Sequence, residues 1–336
     1  MKAISILALE ETPKVGLKTI EKVLSIAPTF DPSSPTDLIE VLKRTKSKFG
    51  RIAIPDTQNA TIGWNKAHEI WKHSQQHDIR IIPRYSPQYP KSLSQISDPP
   101  ALLHVLGNID AINRDCIAIV GTREPTEYGI TVAKRLGALF AESGYTVVSG
   151  LANGIDTASH QGALEANGLT VAVLANGLDT VYPIKNKELA DAILKNNGAL
   201  VSEHSWGTMV NRSYFVARDR IQSGLSLGVF VVETGIKGGT MHTVKSCKEQ
   251  KRSLIVLKHP PYLIGHPKTC GNAQLISEKR ADIIFKNDDG VDLIKIEMNR
   301  VRNQLVGDQD KKRDKCTDSI QTTLDLGGQK PESSNF

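Results

Sequence analysis

Four stretches carry side chains that hold anions or stack on flat rings: GTREPTEYG (121–129), YPIKNKEL (182–189), SWGTMVNRSYFVARDRIQSG (205–224) and KGGTMHTV (237–244). The first follows the apolar run CIAIV and opens a helix, the place where a dinucleotide-binding protein carries G-x-G-x-x-G. That fingerprint is absent. Gly121 and Gly129 are the only glycines of the stretch, and between them stand Thr122, Arg123, Thr126 and Tyr128. Such a turn offers backbone N–H groups at a helix N-terminus and a guanidinium fork, which suits a phosphodiester. Gly238, Gly239 and Thr240 start another helix whose amides converge on the same polyanion. In the third stretch Trp206, Tyr214 and Phe215 interleave with Arg212, Arg218 and Arg220. A single strand of nucleic acid requires that mixture, because aromatic faces stack bases while arginines follow the backbone. Packing of Tyr214 and Phe215 under a sheet edge is the alternative. Lys185 and Lys187 add flexible point charges.

Asp156 and His160, in SGLANGIDTASH, suggest general acid–base work by type alone. Helix capping accounts for the aspartate without chemistry, so both are expected to be structural.

These stretches need elements to hold them. Short β-branched runs at 116–120, 145–150, 169–175, 199–203, 228–234, 253–259 and 281–285 alternate with helical patterns; Ala133, Leu136 and Phe140 have helical spacing and Gly144 closes that helix. Strands this apolar are buried on both faces, which predicts an α/β fold: a doubly wound, mostly parallel, Rossmann-like sheet over 112–304. All the polar, glycine-rich segments then fall beyond the carboxyl ends of the strands, where such sheets bind ligands. Residues 1–75 differ in kind and predict a small helical domain. There LEETPKVGLKTIEKVL reads either as part of a plain bundle or as a helix-hairpin-helix in which Lys14 replaces the usual first glycine. Residues 76–111 form a proline-punctuated connector with a short strand or two, and 305–336 a polar tail expected to be disordered.

Composition excludes other classes. No apolar run approaches the roughly 20 residues that span a bilayer, which points to the cytoplasm. Cys116, Cys247, Cys270 and Cys316 are scattered, with no metal-ligand spacing, so free thiols are expected and neither metal nor cofactor. A net charge of +6 fits a polyanion partner without deciding for one.

In their order and spacing VGTREPTEYG, VVSGLANGIDTASHQGAL, TVAVLANGLDTVYPIKNKEL, FVARDRIQSGLS and VVETGIKGGTMHTV resemble the DNA-processing protein A family (DprA/Smf) over roughly residues 80 to 285. The resemblance implies an extended Rossmann core without dinucleotide chemistry and a non-enzymatic protein that binds and protects single-stranded DNA. It further implies loading of the RecA recombinase during transformation, dimers, and a place for Arg123 in the DNA pocket. The chain departs from the family at Ile184, where a lysine often follows Tyr-Pro, and at Asp219, where asparagine is common between the two arginines. A rival class comes from Glu233: a glutamate beside a glycine turn resembles nucleotide-cleaving enzymes of the lysine-decarboxylase-like group. Lys237 to Thr240 lack the proline and the intervening residue of that group's loop. A scaffold binding only protein fits poorly with so many anion donors.

Overall fold

The computed structural model describes residues 2–286 and 290–307. The chain begins with four helices, α1 (Ala3–Glu11), α2 (Leu17–Ile26), α3 (Pro35–Phe49) and α4 (Thr57–Gln76). Their starts are written locally. Ser34 and Asp37 form a capping box ahead of Pro35, and Asp56 accepts the N–H of Asn59 at 2.8 Å. Between α1 and α2, Lys14 takes φ 69°, a left-handed conformation costly for a side chain of its size, while the adjacent Val15 is buried. Leu7, Leu9, Leu24, Leu38 and Leu42 fill the helical core, which continues into Ile81 and Leu102 of the next segment.

That segment does more than connect. It supplies β1 (Arg80–Pro83) and β2 (Leu102–Gly107), which pair antiparallel with each other, and β2 pairs antiparallel with β6 (Ala199–Ser202). The proline-rich connector is therefore one edge of the sheet.

The remaining elements alternate: α5 (Ile109–Asn113), β3 (Cys116–Val120), α6 (Glu127–Glu142), β4 (Thr146–Ser149), α7 (Ile155–Glu165), β5 (Thr170–Val173) and α8 (Lys187–Lys195) lead to β6. After it come α9 (Arg212–Leu225), β7 (Gly228–Val231), α10 (Thr240–Glu249), β8 (Ser253–Leu257), α11 (Cys270–Ser277) and β9 (Ile283–Phe285). Among the described residues the sheet has nine strands in the order β1-β2-β6-β5-β4-β3-β7-β8-β9, parallel from β6 to β9. From β3 the chain winds outward through β4, β5 and β6, then returns to β3's other side and winds through β7, β8 and β9. The α/β doubly wound expectation holds, and every anticipated strand of the parallel part is present.

Alternate residues of β3 feed two cores: Ile117 and Ile119 face α6 and α7, whereas Ala118 and Val120 face the α9 and α10 side. Phe140 of α6 is fully buried against Phe230, worth roughly 2–3 kcal/mol of apolar transfer. A further helix over 291–307, α12, lays Val291, Ile294, Met298 and Val301 on the first of these cores. It continues past 304: Leu305 packs there, and its carbonyl accepts from Gln95 Nε2 at 3.0 Å. The rest of the expected tail, 308–336, lies outside the described residues.

Candidate functional site

Where the windings diverge, the loops after β3 and β7 separate and leave a cleft of about 710 Å³ at the carboxyl edge of the sheet. Gly121, Thr122 and Arg123 line it from the loop after β3. Gly238, Gly239 and Thr240 line it from the start of α10, and Arg212, Phe215 and Arg218 from α9. Arg123 and Arg212 are exposed. The Arg123 guanidinium carbon stands 5.1 Å from the centroid of the Phe215 ring, and the Tyr182 ring lies 5.7 Å from Phe215 on the other loop. α10 starts without a side-chain cap, so its positive end faces the cleft.

Beneath the rim is a buried charge cluster. Arg218 is 5% exposed, donates Nη1 to the Val173 carbonyl at 2.7 Å and has Nε 3.3 Å from Asp219. Gln222, with its amide turned to satisfy its neighbours, accepts from Arg218 Nη1 at 2.8 Å. Gly150 leaves the room this guanidinium occupies, since a Cβ there would collide with it. Asp156 accepts the N–H groups of Gly150 and Ala152, at 3.1 and 3.3 Å, and burial raises its pKa against the pull of Arg218. Asp156 thus ties down the loop ahead of its helix instead of capping it. His160 is buried on Thr170, 2.6 Å away, and burial pushes it down to about 3, so it stays neutral. Asp219 is pushed up to about 6 by burial. Arg218 is a cleft floor rather than a backbone tracker: its hydrogen bonds are spent on the protein.

Three expected site residues do not reach the cleft. Arg220 turns to Glu203, donating Nη1 and Nη2 to the two carboxylate oxygens at 2.9 and 2.7 Å, while Nε donates to Asp98 at 2.9 Å. The reason is helical geometry: two residues advance about 200° around α9, so Arg218 and Arg220 cannot share a face. Lys185 and Lys187 are exposed but lie outside the lining, beyond Tyr182. Of the aromatics, Trp206 stacks on His73 of α4 and on His77 just past its end, and Tyr214 packs on His204 at 4.0 Å, so Phe215 alone of the three faces the cleft. Tyr182, Asp219, Gln222 and His242 are lining residues that the motifs did not single out for binding; the i, i+3, i+4 spacing of Phe215, Arg218, Asp219 and Gln222 carried the signal for two of them.

The start of α6 is also closed to ligand. Glu233, fully buried, accepts the Thr126 N–H at 2.8 Å and the Thr126 hydroxyl, and Thr126 Oγ1 accepts the Gly129 N–H at 3.0 Å. The turn after β3 spends its amides too: the Thr122 N–H donates to the Glu233 carbonyl at 2.7 Å and the Glu124 N–H to Thr122 Oγ1 at 3.3 Å, so the first motif meets an anion through the side chains of Arg123 and Thr122. Both oxygens of the carboxylate needed by the nucleotide-cleaving alternative are occupied by Thr126, and Glu233 does not line the cleft.

Residues 80–295 match the family described as DNA recombination-mediator protein A, well over half of the chain. The chain belongs to that family. Relatives in the family include Protein Smf of Escherichia coli, 39% identical over 208 residues, covering 61% of this chain and 54% of that protein. DNA processing protein DprA of Bacillus subtilis is 39% identical over 201 residues, covering 60% of this chain and 66% of that protein. The chain thus spans about half to two thirds of the length of these curated relatives. Among solved structures, DprA from Streptococcus pneumoniae superposes with a TM-score of 0.70 at 28% identity, covering 87% of this chain and 97% of that one. DNA processing protein A from Helicobacter pylori superposes at 0.55 with 25% identity over 68% of this chain and 99% of its own, and its structure is described for a single-stranded DNA binding mode. The family's extended Rossmann core agrees with the sheet described above. Among the described residues no helix is long and apolar enough to cross a membrane.

Proposed function

We propose that this chain is a DNA-processing protein that binds single-stranded DNA in the cleft at the β3–β7 divergence. Arg123 and Arg212 meet phosphates, the start of α10 adds its amides, and Phe215 with Tyr182 offers ring faces to bases. The observation that carries this is the Arg123–Phe215 stack at the mouth of a cleft that has no dinucleotide fingerprint. A cation laid on a ring, next to a second ring, matches the alternation of charge and base along a flexible strand and asks for no sequence. Lys185 and Lys187, just beyond Tyr182, extend the track for longer strands. Arg220 has no part in it.

Membership of the family supports the wider role: protection of single strands in the cytoplasm, loading of the RecA recombinase in transformation, and action as a homodimer. The protein works without catalysis, cofactor or metal.

Titrating the purified protein with a single strand, a duplex of equal length and mononucleotides, while following both binding and turnover, tests this reading. Preference for the single strand, steep weakening with salt and no turnover are expected, since each phosphate contact releases counterions. Equal affinity for duplex, or hydrolysis of a mononucleotide, overturns it. Sedimentation at micromolar concentration is expected to give a dimer, and mixing with RecA on a coated single strand to speed filament formation.

A further inference from the structure

The helical domain carries a charged surface that the cleft does not use. The end of α3 and the turn after it read KRTKSKFGR, so Lys43, Arg44, Lys46, Lys48 and Arg51 place five cations in nine residues with no acid among them. All five are exposed. Among the described residues the ion pairs of this domain are Lys2–Asp31, Lys66–Glu11, His73–Glu69 and Arg84–Glu21, and none involves the five. Compensation of the helix dipole explains Lys46 and Lys48 in the last turn. It does not explain Lys43 and Arg44 further back, nor Arg51 beyond the helix end.

What the charges surround is more telling. Phe49 keeps its ring 40% exposed in their midst, with Lys48 Nζ 5.8 Å and Lys22 Nζ of α2 5.7 Å from its centroid. A second exposed ring is linked to the same helix, α2, through Arg84. Tyr85 is 60% exposed with the Arg84 guanidinium 5.8 Å from its centroid, and Arg84 reaches back to Glu21, the neighbour of Lys22, at 3.8 Å. A lipid surface needs an apolar ridge that inserts, and two separate rings bordered by charge do not make one. An acidic protein would answer the charges and leave the rings idle. A strand with phosphates for the cations and bases for the rings uses both.

We propose that this face of the helical domain, centred on Phe49, is a second binding surface for single-stranded nucleic acid. It stands on its own residues and does not depend on the cleft. The full chain is titrated with a fluorescent thymidine oligonucleotide of about 30 nucleotides, long enough to cover more than one site. Three variants are compared: Arg123→Ala, Phe49→Ala, and the triple Lys43→Gln, Lys46→Gln, Lys48→Gln. All replace exposed side chains, and thermal melting checks that each stays folded.

The triple variant is expected to lose about tenfold in affinity and to flatten the log–log salt dependence by about 2, at roughly 0.7 for each single-strand phosphate contact removed. Phe49→Ala is expected to lose several-fold with the salt slope unchanged, a signature of stacking that a purely electrostatic surface does not give. Combining the triple with Arg123→Ala is expected to weaken binding by about the product of the two separate losses. If the triple keeps wild-type affinity and slope while Arg123→Ala weakens binding, the second surface is refuted and the cleft stands. If Arg123→Ala is silent and the triple is not, the cleft reading fails and this surface stands. The parent and the triple variant are also mixed with phosphatidylserine vesicles; if the triple variant loses vesicle binding while its oligonucleotide binding is unchanged, the surface is a lipid site and the proposal is refuted.

Discussion

The guanidinium of Arg123 lies over the ring of Phe215 at 5.1 Å, joining the loop after β3 to the first turn of α9. A strand that meets the one meets the other. Arg123→Ala is expected to weaken single-strand binding by about 1.5–3 kcal/mol, roughly ten- to a hundredfold, and to leave melting unchanged because the side chain is exposed. Phe215→Ala removes a stacking face worth about 1–3 kcal/mol. The double variant should lose less than the sum, since the two side chains touch. Anisotropy titrations of all three at fixed salt check this.

Arg220→Ala acts on the fold instead. Removing one partner of a part-buried bidentate pair leaves Glu203 uncompensated, and a loss of about 1.5–3 kcal/mol in urea denaturation is expected. Single-strand affinity of the folded fraction should be unchanged.

Asp219 makes the cleft sensitive to pH. Burial holds its carboxyl up at about 6, opposed by Arg218, His242 and Arg123 and reinforced by Asp156. Its folded pKa exceeds the unfolded value of about 3.9, so ionisation disfavours the fold: this group's penalty grows as pH rises from about 4 to about 6 and is constant above. In the cleft the same proton removes a negative charge facing the ligand. Single-strand affinity is expected to rise a few fold between pH 7 and pH 5. Asp219→Asn should bind more tightly at pH 7.5 and lose that part of the pH dependence, which separates it from Asp156 and His242. A variant as pH-dependent as the parent would assign the effect elsewhere.

Glu233→Ala deprives Thr126 of its acceptor at the start of α6. A loss of about 1–3 kcal/mol in thermal or urea unfolding is expected. Parent and variant alike should leave mononucleotides intact over hours; cleavage by the parent that the variant lacks would restore the enzymatic reading.

Truncation after Gly307 is expected to change neither melting nor single-strand affinity, because acidic and basic residues nearly balance over 308–336. A cut before Leu305 is different. It removes the carbonyl that accepts from Gln95 and a side chain packed on the core, and should lower the melting temperature.

The parallel sheet was legible because its strands are short β-branched runs buried on both faces, a pattern that few other arrangements satisfy. β1 and β2 were harder to place, since nothing in RIIP or LLHVLG says that they run antiparallel along β6. The four-helix domain was legible as helices, but not its shared core with that edge. At the site, glycines and Arg123 were readable because a turn after a buried strand has one direction to face. Arg218 and Arg220 were not separable by composition. Their fates depend on which face of α9 meets Gly150 and which meets Glu203, a partner 17 residues away in sequence. Glu233 could be drawn as a catalyst until its distance from Thr126, a contact across 107 residues, was known.

Trp206 has a use beyond packing. The chain has three tryptophans, and Trp64, Trp71 and Trp206 all rest against the core of the helical domain, with none lining the cleft. Intrinsic emission is therefore a gauge of the seam where α4 meets the sheet. A strand entering the cleft alone should pass unseen at those wavelengths, while loosening of the helical domain, by heat or by a partner, should register before the sheet gives way.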